Sequence, residues 1–243
     1  LRGPQPTFFG EGSVGGTIRY ATRSPDLSAD GISDSVIKAG VSFTEDGGTN
    51  YSVSAASSLV IIPEKAAIRG VINFRDDDGF IDSTVFGTKD INDFKSVSGR
   101  VVALFEPTDA LSMRLMAFVG KDEIGENNTV SQPPVPASRL QSSSPVDGNN
   151  EDKFELYSAK VDYDLGIGTV SAITGLYKRR GQTEFFCGGC TAFGLFLPNP
   201  IGPVTLLDND DRSLTQEFRF VSDFDGPVSV IGGFYYQDTE FTS

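Results

Sequence analysis

Apolar and polar side chains alternate along most of the chain, with the period of two typical of strands that face water on one side. In residues 35–44, Ile37 and Val41 fall on one face and Lys38 and Ser42 on the other. The same alternation predicts strands over residues 35–44, 51–62, 66–75, 95–105, 111–120, 154–165, 169–179, 213–224 and 228–241. The pattern therefore predicts an all-β fold of about nine strands joined as hairpins.

After the first hairpin, whose tight turn spans residues 45–49, the connections between these strands alternate strictly in length. Short turns fall at Pro63, Glu106, Gly166 and Asp225, and long polar loops span residues 76–94, 121–152 and 180–211. A soluble β-sandwich has no reason to place every long connection at one end, whereas up-and-down outer-membrane barrels do so. The longest aliphatic run, residues 59–62, is far shorter than the ~20 apolar residues of a membrane-spanning helix. These features predict a transmembrane antiparallel up-and-down β-barrel.

Aromatic residues near the predicted strand ends would suit the girdles that such barrels place at the two membrane interfaces. They are Phe43, Phe74, Phe105, Tyr163 and Phe224. Each is also an ordinary β-former, so the girdle alone is weak support for a membrane protein.

Composition removes several classes of function. The net charge of −13 argues against a nucleic-acid partner, because a phosphate backbone recruits lysine and arginine. The chain has no histidine, which is the commonest general base and metal ligand. We therefore expect no enzyme and predict no catalytic, cofactor-binding or metal site.

The first 25 residues contain a glycine spacing that imitates a nucleotide fingerprint. Gly10 to Gly15 satisfy G-x-G-x-x-G, and Asp30 follows at about the distance of a ribose-binding acid. A dinucleotide site needs a strand before these glycines and a helix after them. Residues 17–22 are β-branched and aromatic instead, so they favour a strand and argue against such a site.

The same stretch carries a family resemblance. LRGPQ followed by FGEGSVGGTIRYATRSP resembles the carboxy-terminal end of the plug domain of TonB-dependent outer-membrane receptors. DDDGFIDS, FEPTDALSMRL and YDLGIGTVSAITGLY resemble hairpins of the same family's barrel, in the correct order. The resemblance implies a plug end over residues 1–25, a connector over 26–34 and the first part of a barrel over 35–243. Its plug-motif residues are Arg2, Gly3, Pro4, Gly10, Gly15, Gly16, Arg19 and Arg23.

Receptors of this family have about 22 strands around a plugged lumen. The resemblance therefore implies an internal fragment that lacks the remaining barrel strands, most of the plug and the amino-terminal segment that contacts the TonB complex. It implies a location in the outer membrane of a Gram-negative bacterium, in contact with lipid, and energised uptake of a scarce small molecule. Ferric siderophores are the family's commonest cargo, with cobalamin, haem and glycans as others; the lack of histidine argues mildly against haem. A passive barrel without energised transport and a soluble β-sandwich are the alternatives.

Two groups of loop residues invite a chemical interpretation. Cys187 and Cys190 form a lone CxxC, which could be half a metal site, a redox pair or a small structural disulfide. An oxidising surface favours the disulfide.

Acidic runs occur at Asp76, Asp77 and Asp78 and at Asp208, Asp210 and Asp211. Neither run matches a calcium-binding loop, so solvated loop acids are the simpler interpretation and divalent cations near lipopolysaccharide the alternative.

Charged residues on the polar strand faces would point into the lumen if the apolar faces meet lipid. They are Lys38, Arg69, Arg75, Arg100, Arg114, Lys160, Asp162, Glu217 and Arg219. Unpaired charges are costly away from water, so we expect some of them to face the plug. Our hypothesis is that Arg19 and Arg23 pair with barrel acids such as Asp162 or Glu217. A wet lumen with solvated charges is the alternative.

Overall fold

The computed structural model describes residues 21–126, 140–142, 144, 148–186, 204–224 and 228–242. These residues form eleven strands: β1 (Ile32–Phe43), β2 (Thr49–Ile62), β3 (Ala66–Asp77), β4 (Asp82–Ser83), β5 (Phe94–Thr108), β6 (Leu111–Ile124), β7 (Gln141–Ser142), β8 (Asn150–Asp164), β9 (Gly168–Phe186), β10 (Val204–Ser222) and β11 (Ile231–Thr242). Within this part of the chain, no helix has the length and apolar character needed to span a membrane.

Nine of the strands form one antiparallel sheet in which each long strand pairs with the next along the chain, in the order β1-β2-β3-β5-β6-β8-β9-β10-β11. Each consecutive pair is joined as a hairpin, and each ladder runs nearly the whole length of both strands. The predicted all-β, up-and-down architecture of nine strands is therefore confirmed.

The strands run further toward the long connections than the sequence pattern predicts. Residues 180–211 were expected to be a loop, yet β9 continues to Phe186 and β10 begins at Val204. The loop expected over 121–152 is shortened in the same way. The error has a physical cause: beyond the alternating apolar residues, cross-strand ion pairs and hydrogen bonds replace apolar alternation as the pattern of the ladder.

The long loop after β3 contains a short element that the sequence did not reveal. Strand β4 pairs in parallel with β7, from the next long connection, through Asp82↔Gln141 and Ser83↔Ser142. Ile81 is 1% exposed beneath this pair. The Asn92 side chain accepts hydrogen bonds from the N–H groups of Phe80 and Ile81, both at 2.8 Å. Two long connections are thus tied together at one end of the sheet.

One face of the sheet, which we call the outer face, carries a continuous band of exposed apolar side chains. It includes Ile37, Val41, Phe43, Val53, Ile72, Phe74, Val97, Val101, Phe105, Leu115, Val119, Tyr157, Tyr163, Leu214, Phe218, Phe234 and Tyr236. Their exposure is large, 64% for Ile72 and 79% for Phe43. A patch of this extent on a sheet is the mark of a surface that meets lipid or a partner.

On the side of the long connections, the limit of this apolar band crosses the strands obliquely. Toward the long connections, the last apolar residues of the band, from β1 to β11, are Phe43, Tyr51, Phe74, Val97, Val119, Tyr157, Leu176, Leu214 and Tyr236. By the pairing registers, this limit moves about ten residues along the strands over about eight neighbouring pairs. With a rise of about 3.4 Å and a strand spacing of about 4.8 Å, the strands tilt by about 40° from the normal to the band. Transmembrane barrels have tilts of about 35–45°.

The opposite face is the inner face, and residues 21–31 lie against it as a segment that we call the strap. The strap crosses the end of the sheet that carries the short turns. Its Leu27 carbonyl accepts a hydrogen bond from the Glu64 N–H at 3.2 Å, and its Gly31 carbonyl accepts one from the Val60 N–H at 2.9 Å. Pro25 is buried in the strap, and Ala67 and Val102 are buried on the inner face, 1% and 0% exposed. Among the described residues, buried side chains therefore occur both here and beneath the long connections at the opposite end, where Ile81 is 1% exposed.

Candidate functional site on the inner wall

The strap is held to the sheet by an arginine on β6. Arg114 donates a hydrogen bond from Nη2 to Thr22 Oγ1 at 2.6 Å and another from Nε to Ser24 Oγ at 3.1 Å. Both acceptors are hydroxyls, so the cation has neutral partners here. Asp26 organises the next turn of the strap by accepting the Ser28 hydroxyl at 2.7 Å and the Ser28 N–H at 2.9 Å. These bonds lower the pKa of Asp26 below its usual value.

A buried junction joins the strap to the first strand. Arg69 is 5% exposed and donates to Ser58 Oγ at 2.9 Å and to the Asp34 carbonyl at 3.3 Å. The Asp34 carboxylate lies 3.6 Å from Arg69 and 3.4 Å from Arg23. Asp34 has a φ of 52°, a conformation that aspartate tolerates better than most residues. It lies in the bulge between Ser33 and Val36, so the irregular ladder presents this carboxylate to two arginines.

At the other end of the inner face, an ion-pair cluster lines the side of the long connections. Arg179 on β9 donates from Nε to both Asp152 oxygens at 2.9 Å and from Nη2 to Asp152 Oδ2 at 2.7 Å. Asp211 on β10 lies 3.9 Å from the same guanidinium. These contacts raise the pKa of Arg179, with the hydrogen bond to Asp152 as the main cause. We call Asp152, Arg179 and Asp211 the mouth cluster.

Aromatic rings continue the inner wall next to the mouth cluster. Phe154 is the cross-strand partner of Arg179, and its ring centroid lies 5.3 Å from that of Phe118. The Phe154 ring covers Gly120, where an added Cβ would lie 2.2 Å from the ring. The glycine thus makes room for the ring against the strand. Arg75 forms a second ion pair with Asp77 and lies 5.4 Å from the centroid of Phe94.

Chemically, the mouth cluster and the neighbouring rings offer a guanidinium, two carboxylates and a tilted pair of aromatic rings to a polar ligand. The sequence analysis did not identify Arg179 or Asp152 as site residues. Asp152 fell at the end of the predicted loop 121–152, and Arg179 was the last residue of the predicted strand 169–179. The signal that could have identified them is their phase: each continues the alternation of the inward-facing residues of its strand.

The predicted plug-facing charges have partners on the sheet itself. Asp162 lies 2.7 Å from Lys160 and accepts the Ser171 hydroxyl at 2.6 Å. Glu217 forms an ion pair with Arg219 on the same strand. Arg23, which we expected to reach such acids, pairs with Asp34 because the strap passes close to the bulge in β1. The pairing of Arg19 stays a prediction, because that residue lies outside the described residues.

Several other predicted positions also lie outside the described residues. These are Arg2, Gly3, Pro4, Gly10, Gly15 and Gly16 of the plug motif and the pair Cys187 and Cys190.

The acidic runs are divided between the two faces of the sheet. Asp210 points outward and pairs with Arg180 at 3.2 Å, whereas Asp211 points inward to Arg179. Asp77 likewise faces inward beside Arg75. Within the described ranges, no group of three or more acidic or sulfur ligands could hold a metal ion. Alternation along a strand separates neighbouring carboxylates, and this accounts for the result.

Comparison with known proteins identifies a solved structure with a similar fold. No protein-family profile matches the chain, and no curated protein matches it in sequence. The crystal structure of the ferric yersiniabactin uptake receptor FyuA from Yersinia pestis is similar over 98% of this chain, with a TM-score of 0.80 and 18% sequence identity. The nine-stranded sheet therefore has the fold of part of a barrel like that of the receptor. The chain covers 35% of the receptor, so it spans about a third of its length. The fold expected from the resemblance to TonB-dependent receptors is therefore confirmed.

Proposed function

We propose that this chain is part of an outer-membrane receptor that takes up a ferric siderophore with energy supplied through the TonB complex. The observation that carries the proposal is the strap held against the inner face of a sheet whose outer face is apolar. A sheet of this kind, with a fold similar to that of an uptake receptor, meets lipid on one side and encloses a chain segment on the other.

The oblique limit of the apolar band supports the outer-membrane location. Its slope corresponds to a strand tilt of about 40°, within the range of transmembrane barrels. The aromatic residues Phe43 and Phe74 lie near one limit of the band, and Phe105 and Tyr163 lie toward the other, all at least 42% exposed. Rings at both limits suit two membrane interfaces.

The position of the strap on the inner face is an argument for a plug domain. We assign residues 1–25 to the end of the plug, 26–34 to the connector and 35–243 to the barrel. In this arrangement Arg114 and Arg69 hold the connection between plug and wall. Energised transport then consists of a shift of the plug between two arrangements, with no bond of the cargo broken.

Uptake by cells tests this proposal. The complete gene is deleted and restored, and the strain is supplied with radioactive iron as a panel of ferric siderophores. We expect the restored strain to accumulate iron from one member of the panel, and we expect loss of TonB or collapse of the proton gradient to abolish the accumulation. The protein should be recovered in the outer-membrane fraction.

Two other outcomes would identify other functions. Accumulation that persists without TonB and without a proton gradient would indicate a passive barrel. Recovery of a monomeric protein without detergent would indicate a soluble β-sandwich. Either result would refute the proposal.

A further inference from the structure

A polar pair interrupts the apolar band of the outer face on the neighbouring strands β9 and β10. Thr174 and Gln216 are cross-strand partners, and the Thr174 hydroxyl donates a hydrogen bond to Gln216 Oε1 at 2.6 Å. The band continues on both sides of the pair along β10, with Leu214 toward the long connections and Phe218 toward the short turns, both exposed. The polar pair therefore lies within the surface that would meet lipid.

Gln216 has an amide donor without an acceptor. Its carbonyl oxygen accepts the bond from Thr174, but within the described part of the chain no acceptor lies within hydrogen-bond distance of its Nε2. Its cross-strand partner on β11 is Tyr236, which is 49% exposed and whose hydroxyl has no hydrogen-bond partner among the described residues. Lipid tails offer no hydrogen bonds, so both groups cost free energy until another surface satisfies them. In membranes, hydrogen bonds between polar side chains join one protein surface to another.

The ends of the same three strands carry opposite charges in separate columns, just beyond the apolar band toward the long connections. Lys178 and Arg212 lie on β9 and β10, and Asp238 and Glu240 lie on β11, all exposed. Arg212 and Glu240 are cross-strand partners, yet no ion pair among the described residues involves either of them. The cations thus lie on one side of the line between β10 and β11, and the acids lie on the other.

We propose that this surface is an interface between two copies of the protein, related by a two-fold axis that runs along the membrane normal between β10 and β11. Two copies in one membrane keep the same orientation and depth, so a two-fold axis between them lies along the normal and every contact occurs twice. This axis places the Gln216 amide opposite the Tyr236 hydroxyl of the second copy, and Arg212 opposite Glu240 of the second copy. The inference rests on the proposed outer-membrane location but not on transport.

The strand tilt and the charges both agree with this position of the axis. With a tilt of about 40° and a strand spacing of about 4.8 Å, cross-strand partners on β10 and β11 differ in depth by about 3 Å. Glutamine, tyrosine and arginine side chains are longer than this, so each group can reach its counterpart. An axis between β9 and β10 would instead place Lys178 opposite Arg212 of the second copy, and facing like charges are destabilising. The charges therefore favour the axis between β10 and β11.

Self-association of the full-length protein in a membrane tests this interface. Copies labelled with a donor or an acceptor dye are reconstituted in phosphatidylcholine vesicles, and Förster energy transfer at increasing protein-to-lipid ratios gives the dissociation constant of the dimer. We expect Gln216→Leu and Tyr236→Phe each to weaken the dimer about tenfold, equivalent to about 1.4 kcal/mol. The matched control Tyr163→Phe removes an exposed hydroxyl near the opposite limit of the same band and should change the constant less than twofold.

An exchange of charges tests the position of the axis. Arg212→Glu alone and Glu240→Arg alone should each weaken self-association about tenfold, because each change places two pairs of like charges across the axis. A mixture of the two variants should recover the energy transfer of the unchanged protein, because every contact at these positions then joins opposite charges. Recovery in the mixture identifies the second copy as the occupant of the surface.

Several results would overturn the inference. Energy transfer no greater than that of randomly distributed proteins would leave this surface to lipid or to a different protein. Equal dissociation constants for Gln216→Leu and Tyr163→Phe, or no recovery in the mixture of charge variants, would also overturn it. Heat-modifiable gel mobility shows that each variant is folded. Iron uptake and membrane fractionation are measured on the same variants: a monomer with intact uptake refutes only the interface, whereas absence from the outer membrane refutes the proposed function.

Discussion

Replacement of Arg114 by methionine should loosen the strap while the sheet stays folded. The change keeps most of the side-chain volume but removes the donors to Thr22 and Ser24. Hydrogen bonds from a charged group contribute about 1.5–3 kcal/mol when they are shielded. Because Arg114 is only half-buried, we assign about 1 kcal/mol to each bond. A total of about 2 kcal/mol corresponds to an increase of about 30-fold in the open population of the strap.

Limited trypsin digestion of the full-length receptor in detergent measures this opening. The bond between Arg23 and Ser24 lies in the strap, and its cleavage rate follows the open population when opening is faster than cleavage. Mass spectrometry follows the new peptide that begins at Ser24. The control Arg219→Met removes an inner-face ion pair that does not contact the strap. Equal cleavage rates in the unchanged protein and Arg114→Met would refute the role of Arg114, as would an equal increase in the control.

Three further predictions concern the end with the long connections. Hydrogen bonds from Lys121 and Lys153 lower the pKa of Glu151. The stabilisation of the folded state by this carboxylate is therefore present above the unfolded pKa of about 4.5 and is lost as the pH falls through the lower folded pKa. Hydrogen-exchange protection at the ends of β6 and β8 nearest the long connections should fall over that pH range, and constant protection would contradict this. Gly125→Val should weaken the loop contacts by about 1–3 kcal/mol, because a Cβ would lie 2.2 Å from the Ile91 carbonyl oxygen; exchange in residues 80–92 should increase while the sheet ladders are unchanged, and Gly232→Val, where an added Cβ meets no atom within 4 Å, is the control that should leave exchange in residues 80–92 unchanged. Cys187 and Cys190 should resist alkylation until a reductant is added, and labelling of the untreated protein would exclude the disulfide.

The alternation of apolar and polar residues was sufficient to predict the sheet and its two faces. Ile37, Ile72 and Val101 were expected on one face and Arg69 and Arg114 on the other, and the registers place them so. The prediction succeeds because one face is apolar throughout the band, and a slip of one residue would reverse every side chain. The order of the strands followed from the short turns.

The strand ends and the strap contacts could not be derived in this way. Toward the long connections both faces become polar, so the periodic signal disappears although Arg179 and Asp152 continue the ladder. The position of Asp34 depends on a bulge that no local pattern marks. The pairing of Arg114 with Thr22 joins residues 92 positions apart, and hydroxyl partners of a lumen arginine carry no distinctive sequence signature.

The strap's attachment also determines how it would respond to mechanical force. Its contacts form a series along the chain, from Thr22 and Ser24 at Arg114, through Leu27 at Glu64, to Gly31 at Val60. Tension applied from the amino-terminal side would load these contacts one after another instead of all together. Peeling of this kind requires a much smaller force than shearing a strand from a sheet, and it would stop where Gly31 leads into β1, at the buried Arg69.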